Sequence, residues 1–474
     1  PEVREQAAFA LFRLRFAPVW RKQVPQPPPL PKAAVEATAE VLGDEDVRVR
    51  RAAAHTFSRY GEAAARAALE KALKDGDELV RIFAARGLAR GGDGAAAPEL
   101  AAHLGDPSAK VRGEIVRALA TLGAADSVPA SAGQDDDFQV RAAAATAWAS
   151  NARPETDAAL DSLLEDPSPT VRAAAIVSLG GRRGAAFAPT LREILSSGPW
   201  TSRVAAARAA GNAGEAAAGL LLEALNDEDG RVQAAALESL DAFSDGLETT
   251  ERIARALDSA DLAVRGTAVT ALADRGHPDK VRWLERTVEA SPGVDWVEIR
   301  EGVVDALRPE DGGEDLLKRL ASDSAPSVAR RARLALEARG LSIDESSPVK
   351  AAAEPSPFLS VELEEAPVVV LETEKGKLTI ETLPREAPLH VASFLQLVGE
   401  GFYDGLIWHR VVPNFVIQGG DPLGNGWGGP GYALRDEIYP RPFERGSVGM
   451  PKAGKDTGGC QVFITHIPTP HLDG

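Results

Sequence analysis

The eighteen residues Asp106-Pro107-Ser108-Ala109-Lys110-Val111-Arg112-Gly113-Glu114-Ile115-Val116-Arg117-Ala118-Leu119-Ala120-Thr121-Leu122-Gly123 read as one capped, amphipathic helix. Val111, Ile115, Val116, Leu119 and Leu122 fall on one face at a period near 3.6, and Gly123 follows the last turn as a stop. Asp106 and Ser108 offer capping oxygens, and Pro107 has a φ suited to a first turn. A shorter apolar helix is expected before it, around Ala97 to Leu104.

The same phrase, an acidic turn followed by Val-Arg and an Ala-rich stripe, recurs on both sides. Asp44 precedes Val49-Arg50, Asp77 precedes Val80-Arg81, Asp135 precedes Val140-Arg141, and Asp166 precedes Val171-Arg172. The five arginines follow one another at intervals of 31, 31, 29 and 31 residues. Weaker copies stand at Val3-Arg4, Arg203-Val204, Arg231-Val232, Val264-Arg265, Ile299-Arg300 and Val328 with Arg330. About eleven units of a length that fits two helices and two turns are therefore expected. Alanines on the facing sides allow close approach, and each helix pair must stack on its neighbours to bury its stripe.

On these residues the chain resembles the HEAT-repeat family, in its short form, over residues 1–340. The resemblance implies an α-solenoid in which the turn aspartates and helix arginines form a polar ladder between successive units. Two features depart from the period. The gap from Arg4 to Arg50 is 46 residues and contains Val24-Pro-Gln-Pro-Pro-Pro-Leu30-Pro31, a polyproline-type run read as a stiff loop or a docking segment. Trp200 and Trp296 are large residues in an Ala-rich array, read as packing anchors with ligand contact as the alternative.

Residues 341–366 change to Ser, Pro, Glu and Ala and are read as a disordered linker, because that composition cannot bury enough surface to fold alone. The remainder, 367–474, is β-rich. Val368–Glu374 and Lys377–Leu383 flank Lys375-Gly376 as a hairpin. Val391, Phe394, Leu395 and Val398 form a helical stripe after Pro388. Strands are expected over Gly405–Val412, Phe415–Gln418 and Gln461–Thr465, with a glycine-rich loop from Gly419 to Gly431.

Five segments carry a second resemblance: Phe402-Tyr-Asp-Gly405, His409-Arg410-Val-Val-Pro-Asn-Phe415-Val416-Ile-Gln418-Gly-Gly-Asp421, Gly449-Met-Pro-Lys452-Ala453, Gly459-Cys-Gln461-Val-Phe463-Ile464 and His471-Leu472-Asp-Gly474. Residues 367–474 look like a cyclophilin-type peptidyl-prolyl cis-trans isomerase. The fold class expected is thus multidomain, an all-α HEAT solenoid followed by a mostly-β cyclophilin-like barrel. The family's barrel extends beyond the position matched by Gly474, so the barrel is expected to be partial. Pro1 falls inside a helical pattern, so an upstream segment is expected as well.

The resemblance implies that Arg410, Gln418 and Phe415 are catalytic. Arg410 would donate to the prolyl nitrogen, and Gln418 would hold the arginine and bind a substrate carbonyl. Val416, Phe463 and Leu472 would line the proline pocket with Phe415, while Gln461 and the backbone at Lys452 and Ala453 would pair with extended substrate. His471 stands where many members have a tryptophan that contacts cyclosporin-type inhibitors, which puts sensitivity to that drug class in doubt. Lys452 replaces the usual asparagine and Val416 the usual methionine. The function implied is prolyl isomerisation of proline-containing peptides and proteins, with a protein client recruited by the solenoid. The alternative is a non-catalytic scaffold whose cyclophilin-like module only binds prolines. The array itself offers no catalytic constellation, which sets aside the modification-enzyme branch of HEAT-like proteins.

Composition bounds the rest. A net charge of −17 supplies no footprint for a phosphate backbone, so no nucleic-acid partner is expected. Cys460, the single cysteine, excludes an intramolecular disulfide and is read as a buried small residue. No cofactor or metal is called for: His390, His466 and His471 have no carboxylate or cysteine at ligand spacing, and His409 faces the other side of its strand from the catalytic surface. No run is long and apolar enough to span a membrane. The compartment, cytoplasmic or periplasmic, stays open, and the Ala- and Arg-rich composition points to a bacterial source.

Overall fold

A computed structural model describes residues 2–20, 31–151, 153–214, 217–243, 246–293, 296–341, 358, 366–454 and 456–473. The polyproline run and nearly all of the 341–366 segment lie outside these residues. Among the described residues twenty α-helices precede Leu341, and two compact units, residues 1–216 and 217–474, divide the chain.

The opening phrase folds as a helix over Ala109–Thr121, preceded by a short one over Ala97–Ala102. Its inner face is buried at Val111, Ile115, Val116 and Leu119. The expected cap differs in detail. Ser108 occupies the N-cap but spends its hydroxyl on Glu78 Oε1 at 2.6 Å, and Asp106 accepts the Ser108 N–H at 2.8 Å. Elsewhere the turn aspartate caps directly: Asp46, Asp77 and Asp137 accept from Arg48, Val80 and Gln139 N–H groups.

The ladder is present in the first unit. Arg4, Arg50, Arg81, Arg112 and Arg141 reach Asp44, Asp75, Asp106, Asp135 and Asp166 of the following turn at 2.6 to 2.8 Å. Asp75 takes the second rung rather than Asp77, which instead caps its helix and pairs with Arg51 at 2.5 Å. Each helix arginine from Arg50 to Arg141 also donates Nη1 back to its own turn carbonyl, for example Arg81 to Asp75 O at 2.8 Å. One guanidinium thus ties two turns together with a fork matched to carboxylate. The hydrogen bond from Arg112 holds the Asp135 carboxyl below the ordinary aspartate range. The ladder is interrupted after Asp166 because the next turn, Ser196-Ser197-Gly198-Pro199, has no carboxylate.

Breaking a rung has a definite cost. Arg81→Ala leaves the Asp106 carboxylate, 5% exposed, without its counter-ion. The expected loss is about 3 kcal/mol of stability, read as a lower urea midpoint. A loss below about 1 kcal/mol would class the rung with exposed surface pairs.

Alanine does what the pattern suggested. Ala205, Ala206, Ala207, Ala209 and Ala210 are essentially inaccessible. A Cβ placed on Gly180 would meet Ala209 Cβ at 2.7 Å, so the helices Pro169–Arg183 and Trp200–Asn212 run almost backbone to backbone.

In the second unit the weak copies depart individually. Arg231 is two positions short of the ladder site and pairs locally with Asp229, and Gln233 takes the ladder position, donating to Asp227 O at 2.6 Å. Arg265 finds neutral acceptors in place of an aspartate, Ala290 O at 2.9 Å and Ser291 Oγ at 2.8 Å. Its guanidinium stacks 4.2 Å from the ring centroid of Trp296, which gives that tryptophan an anchor. A full rung returns at Arg300–Asp323, 2.8 Å.

The β-rich segment of this unit has two sheets. Strands β1 (Val368–Thr373) and β2 (Gly376–Glu381) form the expected hairpin. After the helix Pro388–Gly399 come β3 (Arg410–Val412), β4 (Val416–Gly419), β5 (Val448–Gly449) and β6 (Val462–Thr465), ordered β3-β4-β6-β5 and antiparallel throughout. The described strands do not close into a barrel. β3 is shorter than the run Gly405–Val412 because Ile407 and Trp408 pack against the glycines at 424 and 419 instead of joining a ladder. Val369, Ile380, Phe394 and Val462 form the core that joins hairpin, helix and four-stranded sheet. Phe358, inside the stretch read as linker, is buried against Ala392 and Leu434, with its ring 5.4 Å from Tyr432.

Candidate active site

The site is built on a strand-turn-strand. Asn414 adopts φ 54° in the left-handed region, a conformation Asn tolerates, and reverses the chain within three residues. Arg410 then stands directly across from Gln418, and Gln418 across from Phe463 on β6. Residues paired across an antiparallel ladder share a face. Arg410, Gln418 and Phe463 therefore project to one side, together with Val412 and Val416.

Hydrogen bonds lock that row. Arg410 Nη1 donates to Gln418 Oε1 at 3.2 Å, and Gln418 Nε2 donates to Gln461 Oε1 at 2.9 Å. Gln461 Nε2 donates in turn to Gly426 O at 2.9 Å and Gly428 O at 3.0 Å in the glycine-rich loop. The loop is held by Asp421, which is fully buried and accepts from the N–H groups of Leu423 and Asn425 at 2.8 Å and from that of Gly426. A chain of contacts thus runs from Asp421 to Arg410. Gln461 is a positioning residue for Gln418 in this arrangement, a role its place in the motif did not reveal.

The apolar part lies beside the row. Val416 is 1% exposed and forms a floor. The Arg410 guanidinium carbon lies 5.9 Å from the Phe415 ring centroid, and Phe415 stacks on His471 at 5.3 Å. Phe463 stacks on Phe443 at 5.6 Å. A Cβ on Gly449 would lie 2.4 Å from Phe463 and 2.7 Å from Phe443, so only glycine leaves room for the paired rings. Phe443 went unnoticed in the sequence because nothing local distinguishes it.

Of the ten residues expected at the site, Arg410, Phe415, Val416, Gln418, Lys452, Ala453, Gln461, Phe463 and Leu472 line one cleft. His471 meets that cleft through its stacking on Phe415. The Lys452 side chain turns to Asp436 at 2.8 Å, and the Ala453 N–H is taken by Thr457 Oγ1 at 3.0 Å. Met450 and Trp427 also line the cleft. Met450 sits inside a quoted motif, while Trp427 carries only the weak signal of a large ring in a glycine-rich loop.

Burial, then the Asp421 charge, pushes the Cys460 thiol up to about 12, so it is protonated at neutral pH. Among the described residues no three His, Cys, Asp or Glu side chains could hold a metal ion, and no helix is long and apolar enough to cross a membrane. His409 and His390 are both held below the ordinary histidine value, chiefly by burial. Both His409 ring nitrogens are buried without a partner among the described residues.

The sign of the resulting pH dependence follows. As pH falls through about 6.5, the unfolded chain takes up protons that the folded chain refuses, so stability is full above that value and is lost below it. Tm is expected to fall between pH 7.5 and 5.5, and to fall less in His409→Leu. An identical fall in the variant would remove His409 from the account.

Both parts of the chain have counterparts among known proteins. The family model described as cyclophilin type peptidyl-prolyl cis-trans isomerase/CLD matches residues 368–474, and the HEAT repeats model matches 67–130, 131–212 and 217–308. A peptidyl-prolyl cis-trans isomerase of Synechococcus elongatus is 51% identical over 105 residues, covering 22% of this chain and 72% of the relative. Peptidyl-prolyl cis-trans isomerase B of Bacillus subtilis is 54% identical over 101 residues, covering 21% of this chain and 71% of the relative. A Cryptosporidium parvum cyclophilin-type isomerase, crystallised in the presence of the dipeptide Ala-Pro, is 37% identical over 23% of this chain and 73% of its own, with a TM-score of 0.22. The chain belongs to the cyclophilin-type peptidyl-prolyl cis-trans isomerase family, with its isomerase region following an array of HEAT repeats.

Proposed function

We propose that Arg410 is the catalytic donor of a prolyl isomerase whose pocket is formed by Phe415, Val416, Phe463 and Leu472, and that the solenoid recruits the protein client. An X-Pro bond resists rotation by roughly 20 kcal/mol because twisting breaks amide resonance, giving a rate on the order of 10⁻² per second. Lowering that barrier by about 7 kcal/mol yields roughly 10⁵-fold acceleration. As the bond twists, the lone pair localises on the prolyl nitrogen and becomes a hydrogen-bond acceptor. A charged donor fixed at that position is stronger for the twisted state than for either planar isomer, which is the requirement for catalysis.

The observation that carries this reading is the Gln461–Gln418–Arg410 hydrogen-bond chain along the rim of an apolar pocket. It uses one Arg410 nitrogen and leaves the others without partners among the described residues. Apolar walls take the proline ring, and Gln418 is placed to meet a substrate carbonyl. Gln461 acts through Gln418, and Lys452 and Ala453 form the rim. His471 supports Phe415 by stacking. In the proposed organisation residues 1–340 are the recruiting array, 341–366 the connection and 367–474 the isomerase domain.

The test is prolyl exchange on a Pro-containing peptide, followed by NMR, with the full chain and with Arg410→Ala. Equal rates in the two proteins would overturn Arg410 as donor.

A further inference from the structure

The catalytic face is one wall of a larger cleft. Arg410, Phe415, Gln418 and Phe463 line it on one side, and the solenoid residues Trp296, Glu298, Glu301, Asp305 and Arg330 line it on the other, all within the compact unit 217–474. Its volume is about 3050 Å³. Sites for small ligands occupy about 300–1,000 Å³, so this space suits a length of polypeptide.

The two walls meet through the glycine-rich loop. Trp427 reaches the helix Leu262–Leu272 at Gly266, where an added Cβ would lie 2.9 Å from the indole and 3.1 Å from Ile299 Cδ1. A Cβ on Gly424 would lie 3.5 Å from Arg231 Nη1. Gly266 is thus a socket for Trp427, on the same loop whose carbonyls hold Gln461. The charge on the solenoid wall is unevenly satisfied. Arg331 pairs with Glu301 at 3.2 Å and also with Asp305. Glu298 has no ion-pair or hydrogen-bond partner among the described residues and remains accessible to solvent. The crowding of protein around it, then the Glu301 charge, pushes its carboxyl above the ordinary glutamate range.

We propose that the last repeats of the solenoid form the second wall of the isomerase's substrate cleft, so that a client binds as an extended segment whose basic residues near the proline are read by Glu298. This rests on the isomerase reading above. It also changes the role of these repeats, from a recruiting arm to a specificity-determining surface for the reaction. Trp296, held by Arg265, supplies an aromatic surface on the same wall.

The test compares three substrates on the full chain. They are a blocked tetrapeptide, a peptide of about 20 residues with one central proline and flanking lysines, and the same peptide with glutamines in place of the lysines. Wild type is expected to favour the lysine peptide over the glutamine peptide in kcat/KM by about threefold to fivefold. Glu298→Gln is expected to bring that ratio close to one. A wild-type ratio of one, or a ratio unchanged by Glu298→Gln, overturns the proposal while tetrapeptide turnover upholds the isomerase reading. Absence of tetrapeptide turnover in wild type overturns that reading instead.

Discussion

Arg410→Ala is expected to lower kcat/KM for a short Pro-containing peptide by about 10²- to 10³-fold. That is the usual loss when one preorganised donor to a developing charge is removed. The residue fits this scale because its alignment is fixed in advance. Gln418 holds one guanidinium nitrogen at 3.2 Å, and Phe415 lies under the guanidinium carbon at 5.9 Å. KM should change less than kcat, because the proposed proline pocket of Phe415, Val416, Phe463 and Leu472 is left in place by the substitution. Arg410→Lys is expected to recover only part of the loss, since an ammonium cannot keep the Gln418 bond and offer a second fixed donor in the same plane. Single-turnover or exchange NMR separates the two parameters. A fall confined to KM would make Arg410 a substrate clamp instead of a donor.

The largest stability effect is expected far from the site. Trp148→Ala should cost about 4 kcal/mol. Its side chain is fully buried, and its Nε1 donates to Val128 O at 3.1 Å. In this repeat the usual first helix is reduced to a 3₁₀ turn, Ala130–Gln134, and the indole occupies the space that a helix would fill. A Cβ on Gly133 would lie 3.0 Å from Trp148 Cη2, which shows how closely the turn is laid over the ring. Truncation leaves a cavity, while Val128 O keeps the bond it accepts from Arg153 Nη2 at 3.1 Å. Because each repeat is stabilised mainly by its neighbours, the loss should spread into the adjoining repeats as reduced amide protection in hydrogen exchange. A urea midpoint close to wild type would show that the turn collapses onto the vacated space.

Much of this was legible along the chain. A recurring Val-Arg at intervals near 31 residues can only bury its stripe by stacking, so the solenoid followed from periodicity alone. Arg410 and Gln418 lie eight residues apart around a Pro-Asn turn, a spacing that can return them to one face, and the resemblance carried by the motif implied the roles proposed for them. Local capping was less certain. Asp75 and Asp77 are both within reach of a rung by count, and only the chain direction at the turn selects Asp75 for Arg81's predecessor, Arg50, and leaves Asp77 to cap the helix. Likewise Arg231 matches the pattern by type, but a two-residue offset turns it to Asp229 and gives its ladder place to Gln233.

The contacts that complete the site come from segments distant in sequence, and for these no local signal existed. Phe443 supports Phe463, Gln461 is engaged by the Gly426 and Gly428 carbonyls, and Phe358 is buried in a stretch whose composition reads as linker. Periodicity, turn chemistry and motif order depend on neighbours a few residues away, so they could be read directly as a HEAT array followed by an isomerase with Arg410 and Gln418 on one face. The pairing of Trp427 with Gly266, and the place of Glu298 on the same cleft as Arg410 and Gln418, depend on how successive repeats accumulate their small rotations. That sum over many interfaces exists only in the folded chain.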